Sequence, residues 1–403
     1  MEYKQLSSLF YSDNKNYNDI YLARYNSEAA YRFNFSINNN PAFVLLTNEI
    51  VRKMEIILDK NYILKEKATH IIPGIAISQY TKKCLIDEIK MTNEIEGVYS
   101  TRKEIAEILN DKTENKKRRR LYGLVKKYSM LLKENLKLES CKDIRSLYDE
   151  LVLSEVIAED PQNEPDGIIF RKGPVFVQSP TGEKIHTGIT PEEQIIEVMS
   201  ECLNIFKNDE YNYLINIAVF HYMFGYIHPF YDGNGRTSRF ISSYLLSTKL
   251  HFLVSYRISY TIKENIKSYY KSFKMANDEK NKGDLTVFVL RFFDLIIQSL
   301  DDLNNSLTDR ENKLDFFKEK TDVIAKGDKK LSNLLFILVQ NTLFGDDGLS
   351  VDDLHEICDT SKSKIRTSLD KLDKLGIIRK TKDSRKYLYN LDLDRLASSE
   401  EIE

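Results

Sequence analysis

Tryptophan is absent from this chain, and cysteine is scarce, with four in 403 residues. Those four (Cys84, Cys141, Cys202, Cys358) lie far apart and form no Cys-x-x-Cys pair. Disulfide frameworks and zinc sites of the usual spacing are therefore not what organises the fold, and a reduced setting is expected. No run reaches the roughly 18 uncharged apolar residues of a membrane span. The nearest, Tyr213 to Phe230, carries two histidines and several tyrosines and reads as a buried helix. The opening residues, MEYKQLSSLFYSDNKNYND, are charged early and lack the apolar core of a secretory signal. A cytoplasmic protein is the expectation. Charge of one sign is missing too, with 59 Lys plus Arg against 61 Asp plus Glu. A protein that coats nucleic acid by bulk electrostatics is thereby excluded, and any DNA contact must be local. Hydrophobic residues make up 42% and charged residues 30%, enough for two or three domains with full cores.

What is present is mostly helical periodicity. Residues 1 to about 45 are rich in Asn, Tyr and Ser and support no assignment. Apolar spacing of three and four predicts helices over about 41–64, 77–95, 101–111, 115–138 and 142–156. The texture then changes. Asp166 to Thr190 alternates short β-prone pieces with Gly and Pro, and Ser179-Pro180-Thr181-Gly182 offers a turn between them. A β-hairpin is expected there, at about 174–187. Helices resume after Pro191, with further ones over about 209–226, 237–250, 261–277 and 284–304, and a charged connecting helix over 305–329. From 330 to 395 the order is helix, helix, helix and two β-prone strands. Ser350 can cap the second of these helices and Gly376 can end the third.

The stretch HPFYDGNGRTSR, His228 to Arg239, is not accounted for by packing. Two glycines around Asn234 let the backbone turn tightly and present successive N–H groups. The helix that follows points its positive end at the same place. Arg236 and Arg239, three apart, reach from one face of its first turn. Together these describe a polyphosphate site. Asp232 can hold Mg²⁺ between phosphate oxygens. His228, at the end of the apolar helix, can take a proton from an attacking hydroxyl. The chemistry indicated is phosphoryl or nucleotidyl transfer.

This stretch resembles, at every defining position, the Fic family signature His-x-Phe-x-(Asp/Glu)-Gly-Asn-Gly-Arg-x-x-Arg. The resemblance implies a mainly α fold, a Fic-type helical bundle with a β-hairpin flap, that moves AMP from ATP to protein Ser, Thr or Tyr hydroxyls. It implies His228 as general base and Phe230 as a core anchor. Asp232 would be the ligand of Mg²⁺ (or Mn²⁺). Gly233, Asn234 and Gly235 would form the anion-binding turn, with Asn234 touching phosphate, and Arg236 and Arg239 would hold the outer phosphates. The hairpin at 174–187 would be the flap on which a target strand docks by β-addition. Tyr270 and Asn277, seven apart on one helix face, would line the adenine side.

Upstream, Thr92, Glu96 and Gly97 fit the pattern (Ser/Thr)-x-x-x-Glu-(Gly/Asn) of Fic proteins with built-in inhibition. Glu96 could form a bidentate pair with an arginine, and the resemblance implies Arg239. The expected organisation is an N-terminal helical region, 1–100, with an inhibitory helix at about 80–97. A Fic catalytic domain, 101–304, a linker helix, 305–329, and a C-terminal winged helix-turn-helix, 330–395, follow. Basic residues over 361–386 could meet DNA, but acidic residues around the preceding helix favour protein docking or dimerisation. The run Lys116–Arg120 reads as a solvated helix face. Self-modification fits a chain so rich in hydroxyls. The alternatives are removal of AMP using Glu96 at the same site, transfer of another group, as in Fic relatives that phosphorylate or move phosphocholine (the intact Gly-Asn-Gly-Arg-x-x-Arg argues against the former), and a DNA-binding regulator whose Fic domain only senses ATP.

Overall fold

A computed structural model of the protein describes residues 3–111, 113, 119–178, 184–207, 211–383 and 386–398. The turn at Ser179–Gly182, most of the basic run at 116–120, and Arg385 lie outside them. The chain divides into two compact units, one of Met1–Asn61 with Leu85–Asp301 and one of Tyr62–Cys84 with Asp302–Glu403.

The first unit opens with α1 (Leu6–Ser12) and α2 (Tyr17–Tyr25), then a hairpin, β1 (Ala30–Ile37) and β2 (Asn40–Leu45). The hairpin was invisible in the sequence, where 41–64 reads as one helix. In the structure Pro41 pairs opposite Ser36 within β2, and α3 (Asn48–Glu66) starts only after it. Ala42, Phe43 and Val44 are all buried, so this apolar run serves as a strand covered on both faces rather than as a helix face.

Next come α4 (Gly74–Ile95), α5 (Arg102–Asn110) and α6 (Tyr122–Met130). Of the expected 115–138, residues 115–118 lie outside the described residues; Leu121 starts α6 from a left-handed conformation, and turns replace helix after Met130. A π turn at Asp149–Leu153 joins α7 (Cys141–Tyr148) to α8 (Ser154–Glu159). The flap strands β3 (Phe176–Gln178) and β4 (Lys184–Thr187) pair antiparallel where the hairpin was expected. Then follow α9 (Glu192–Asn204), α10 (Tyr213–Ile227), α11 (Asn234–Ser247), α12 (Ile258–Glu264) and α13 (Ile266–Ala276). Because α10 is wrapped by neighbours on all sides, it shows almost no polar face, and its residues from Leu214 to Phe224 are all buried. It is the hub on which α9 and α11 pack. The predicted break between 304 and 305 is absent, since α14 runs unbroken from Thr286 to Ala325.

In the second unit α15 (Lys329–Phe344), α16 (Val351–Cys358) and α17 (Lys362–Lys374) precede the antiparallel pair β5 (Ile378–Asp383) and β6 (Lys386–Leu391), with α18 (Leu393–Ser398) last. Ser350 and Asp353 form the capping box of α16, and Gly376 adopts φ 72° just past α17. Leu335, Leu338, Leu354, Ile365, Leu369 and Leu372 make the core of this unit. Among the described residues no helix is long and apolar enough to cross a membrane, and all four cysteines are free thiols.

Candidate active site

The motif sits where the chain leaves α10 and enters α11. His228 ends α10 in the left-handed region, φ 52°, and its N–H closes the helix on Phe224 O at 3.0 Å. Phe230 is fully buried, stacked on Tyr148 at 3.6 Å between ring centroids and edge-on to Phe170 at 5.5 Å. The Asn234 side chain both accepts from Phe230 N–H (2.9 Å) and donates to Phe230 O (2.8 Å). The resemblance had implied that Asn234 touches phosphate. Its amide locks the loop through these two bonds, and Asn234 also lines the cavity described below.

Gly233 takes φ 77°, and a Cβ there would meet Val152 at 2.9 Å and Tyr148 at 3.1 Å. The π turn between α7 and α8 carries these groups up to the loop, which explains a helix deformation at this spot. Only glycine fits both the backbone angle and the space.

The first turn of α11 presents the N–H groups that a helix start leaves unpaired. Arg236 is 1% exposed, and none of its three guanidinium nitrogens has a hydrogen-bond partner among the described residues. Glu155 lies 3.5 Å away and Asp232 3.7 Å away, close enough to balance its charge but outside bonding geometry. A buried guanidinium with idle donors suits an anionic partner.

Arg239 is occupied. Its Nε donates to Thr92 Oγ1 (2.8 Å), and its Nη2 donates to Thr92 O (2.9 Å) and reaches Glu96 Oε1 (2.8 Å). The expected partner is therefore found, but the guanidinium fork is shared between Thr92 and Glu96 rather than spent on the carboxylate alone. Gly97, φ 76°, turns the chain off at the end of this segment. A Cβ on Gly235 would lie 2.0 Å from Glu96 Oε1. The Glu96 carboxylate thus rests on the N-terminal turn of α11, where an anionic ligand would sit.

A cavity of about 230 Å³ is lined by Glu96, His228, Gly235, Arg239, Tyr270 and Asn277, whereas Arg236 and Asp232 are not among its lining residues. Val177 and His186 of the flap line it as well. Burial pushes the His228 imidazole down to about 4, against the raising effect of Glu96, so the ring is neutral at pH 7. Its Nδ1 faces Gly225 O at 3.4 Å, which leaves Nε2 as the basic nitrogen.

Three residues of this region carried no sequence signal. His221 is buried between Ser242 and Tyr269, with both ring nitrogens bonded at 2.7 Å, and burial lowers it to about 3. Arg171 is fully buried. It donates from Nε to His228 O (2.8 Å), from Nη1 to Gly173 O (2.5 Å) and from Nη2 to Ile189 O (2.9 Å). The residues entering and leaving the flap are thereby tied to the motif histidine through one guanidinium. A Cβ on Gly188 would strike this side chain at 2.4 Å. Removing it in Arg171→Ala leaves buried carbonyls unpaired, at about 1–3 kcal/mol each. The variant should therefore unfold at clearly lower denaturant, and Arg171→Lys should recover only part of the loss.

Glu88, two turns before Glu96 on α4, is fully buried and accepts from Ser259 N–H at 2.9 Å. Burial raises its carboxyl to about 7, opposed by the Ser259 bonds. A carboxyl raised on folding adds stability at low pH and loses it as pH climbs from the ordinary carboxylate range through about 7. Thermal unfolding between pH 5 and 8 should consequently fall more steeply for the native protein than for Glu88→Gln.

Residues 140–246 match the Fic/DOC family. The chain carries a Fic domain. A Fic family protein from Desulfovibrio desulfuricans G20 superposes with TM-score 0.52 at 17% identity, over 86% of this chain and 96% of that one. The Fic-1 protein of C. elegans (TM-score 0.44, 18% identity, 64% and 73% covered) is also similar. So is a Fic domain containing signaling protein from Bacteroides thetaiotaomicron VPI-5482 (0.41, 17%, 65% and 97%). The first of these supports the fold, a mainly helical Fic architecture with a short flap. Fic domains are generally enzymatic and typically transfer a nucleoside monophosphate to proteins, using a nucleotide and a divalent metal.

Proposed function

We propose that this Fic domain transfers AMP from ATP to a Ser, Thr or Tyr hydroxyl of a protein, and that Glu96 holds the reaction low. The observation that carries the reading is the Glu96 carboxylate seated on the first turn of α11 and paired with Arg239, in the same cavity as His228. An acid placed there occupies ground that a terminal phosphate needs.

In the uninhibited state the target hydroxyl, presented along the flap, loses its proton to His228 Nε2 as its oxygen attacks the α-phosphorus. The bond from that phosphorus to the α–β bridging oxygen breaks, and pyrophosphate leaves. Arg236, with its idle donors, and Arg239, once freed, hold the outer phosphates, and the α11 turn neutralises the developing charge. Asp232 suits a divalent cation. Its Oδ1 accepts from Gly233 N–H at 2.6 Å, while its side chain remains 37% exposed for a further ligand. The cation, when bound, would offset phosphate charge. Tyr270 and Asn277 would take the adenine. A chelator should abolish transfer, and Mg²⁺ or Mn²⁺ should restore it.

The test is label incorporation into protein from α-labelled against γ-labelled ATP. Transfer of α-label alone supports the proposal; transfer of γ-label alone overturns it.

Residues 330–395 we read as a winged helix used for docking, this chain's second copy included, rather than for DNA. Asp352 pairs with both Lys362 (2.8 Å) and Lys386 (3.5 Å), and Asp392 pairs with Arg379 (3.1 Å), so the basic helix and wing are partly neutralised from within. Tight duplex binding with a steep salt dependence would contradict this.

A further inference from the structure

The N-terminal hairpin lies outside the residues that match the Fic family, yet it is bonded to two residues that line the cavity. Its two-residue turn, Asn38-Asn39, is left-handed at both positions (φ 49° and 62°), with Ile37 opposite Asn40. Asn38 N–H donates to the Tyr226 hydroxyl at 3.0 Å, and that hydroxyl donates back to Asn38 Oδ1 at 3.3 Å. Asn38 Nδ2 donates to the main-chain oxygen of Asn277 at 2.6 Å. Tyr226 and Asn277 both line the cavity.

The rest of the hairpin grips the same segment further on. Phe43 N–H donates to Gly283 O (3.0 Å), and Leu285 N–H donates to Phe43 O (2.8 Å). Gly283 has φ 76°, and a Cβ there would lie 2.4 Å from Pro41 O, so the approach is as close as the backbones allow. The loop from Asn277 to Leu285 is thus clasped at both ends by β1 and β2. On the other side, Tyr226 stacks on His186 of the flap at 4.3 Å, and its carbonyl lies 2.8 Å from His186 Nε2.

We infer that this hairpin is a working part of the nucleotide site, and that Asn38 is a positioning residue that sets which base the site accepts. The inference rests on the nucleotide-transfer reading and deepens it. Asn277 Oδ1 accepts from the Tyr222 hydroxyl. That bond fixes the amide orientation and leaves Nδ2 as the group available to a base. A donor there matches N1 of adenine, the ring nitrogen whose lone pair guanine lacks. Guanine, whose corresponding nitrogen carries hydrogen, sets donor against donor. The selection needs the Asn277 backbone held in place; its N–H closes α13 on Phe273 O (2.8 Å), and Asn38 holds its carbonyl.

The experiment uses the full chain with Glu96→Gly, so that transfer is measurable, and adds Asn38→Gly. Glycine keeps the left-handed turn and deletes only the amide. KM for ATP should rise about tenfold, and the ATP-over-GTP ratio of kcat/KM should fall by a similar factor, as expected for a displaced polar contact. The kcat at saturating ATP should stay within about twofold, since no group at the reacting phosphorus moves. A merely structural role would lower the active fraction for both nucleotides alike and leave KM and the ratio where they were. Tyr226→Phe, which removes both hydroxyl contacts to Asn38 and keeps the stack on His186, should give part of the same change. Unaltered KM and ratio in both variants overturn the inference. Calorimetry separates the two levels. If the Glu96→Gly protein binds neither ATP nor GTP, the nucleotide reading fails and this inference with it. If it binds ATP and Asn38→Gly binds equally well, only this inference falls.

Discussion

Replacing Glu96 with glycine should raise AMP incorporation roughly 5- to 150-fold, the span of a coupling of 1–3 kcal/mol. The change frees Arg239 Nη2 from the carboxylate 2.8 Å away and clears the space over Gly235. Thr92 continues to hold Arg239 through Nε and Nη2, so the guanidinium stays aimed at the site after the acid is gone. This separates Glu96→Gly from Thr92→Ala, which loosens the arginine and should give a smaller gain or none. Glu96→Gln is informative too, because it keeps the bulk and removes the charge. If the glycine variant labels no more than the native chain, the carboxylate is not the brake.

The second large effect is loss of transfer in Glu96→Gly with His228→Ala, by roughly 10²–10⁴, the range for a positioned general base. The pH profile is the sharper check. Burial holds the His228 ring down at about 4, so it is already neutral well below pH 7. The rate should then be level through neutrality and fall only as the medium approaches that value, where the imidazole takes up a proton and can accept no other. Removing Glu96, whose charge raises His228, should move the limb to still lower pH. A limb at the ordinary histidine value near 6.5 would place the base elsewhere. ATP binding should survive His228→Ala, because its contribution is to the proton and not to the phosphates.

Much of this site was legible beforehand because its chemistry is packed into consecutive residues. His228 to Arg239 spell a helix end, a turn and a helix start, and side chains three and four apart on a helix must share a face. Thr92, Glu96 and Gly97 were legible for the same reason. What escaped is what depends on distant contact. Arg171, alone in a Gly- and Pro-containing stretch, reads as a surface charge, and nothing local says that it is fully buried among carbonyls. That the Asn234 amide also braces the loop through Phe230 is shown only by the fold. The hairpin at 30–45 was lost because its apolar residues are covered by α1, α2 and the loop after α13, which the sequence of the hairpin does not contain. The run through 304 looked like a boundary from its charge alone, whereas Leu303 and Leu307 are buried and carry α14 across it.

The seat of Glu96 on α11 has a consequence for how such a protein can be switched on. On the proposed reading the carboxylate is a competitor built into the same chain, so it never dilutes, and its effective concentration stays fixed whatever the cell contains. Nucleotide in solution meets a site whose competent fraction is set internally, and its apparent affinity is weakened by that fraction. More ATP therefore overcomes the carboxylate only at concentrations raised in inverse proportion to that fraction. On the proposed reading, the direct trigger is whatever binds, modifies or displaces the turn that carries Glu96, just past the end of α4.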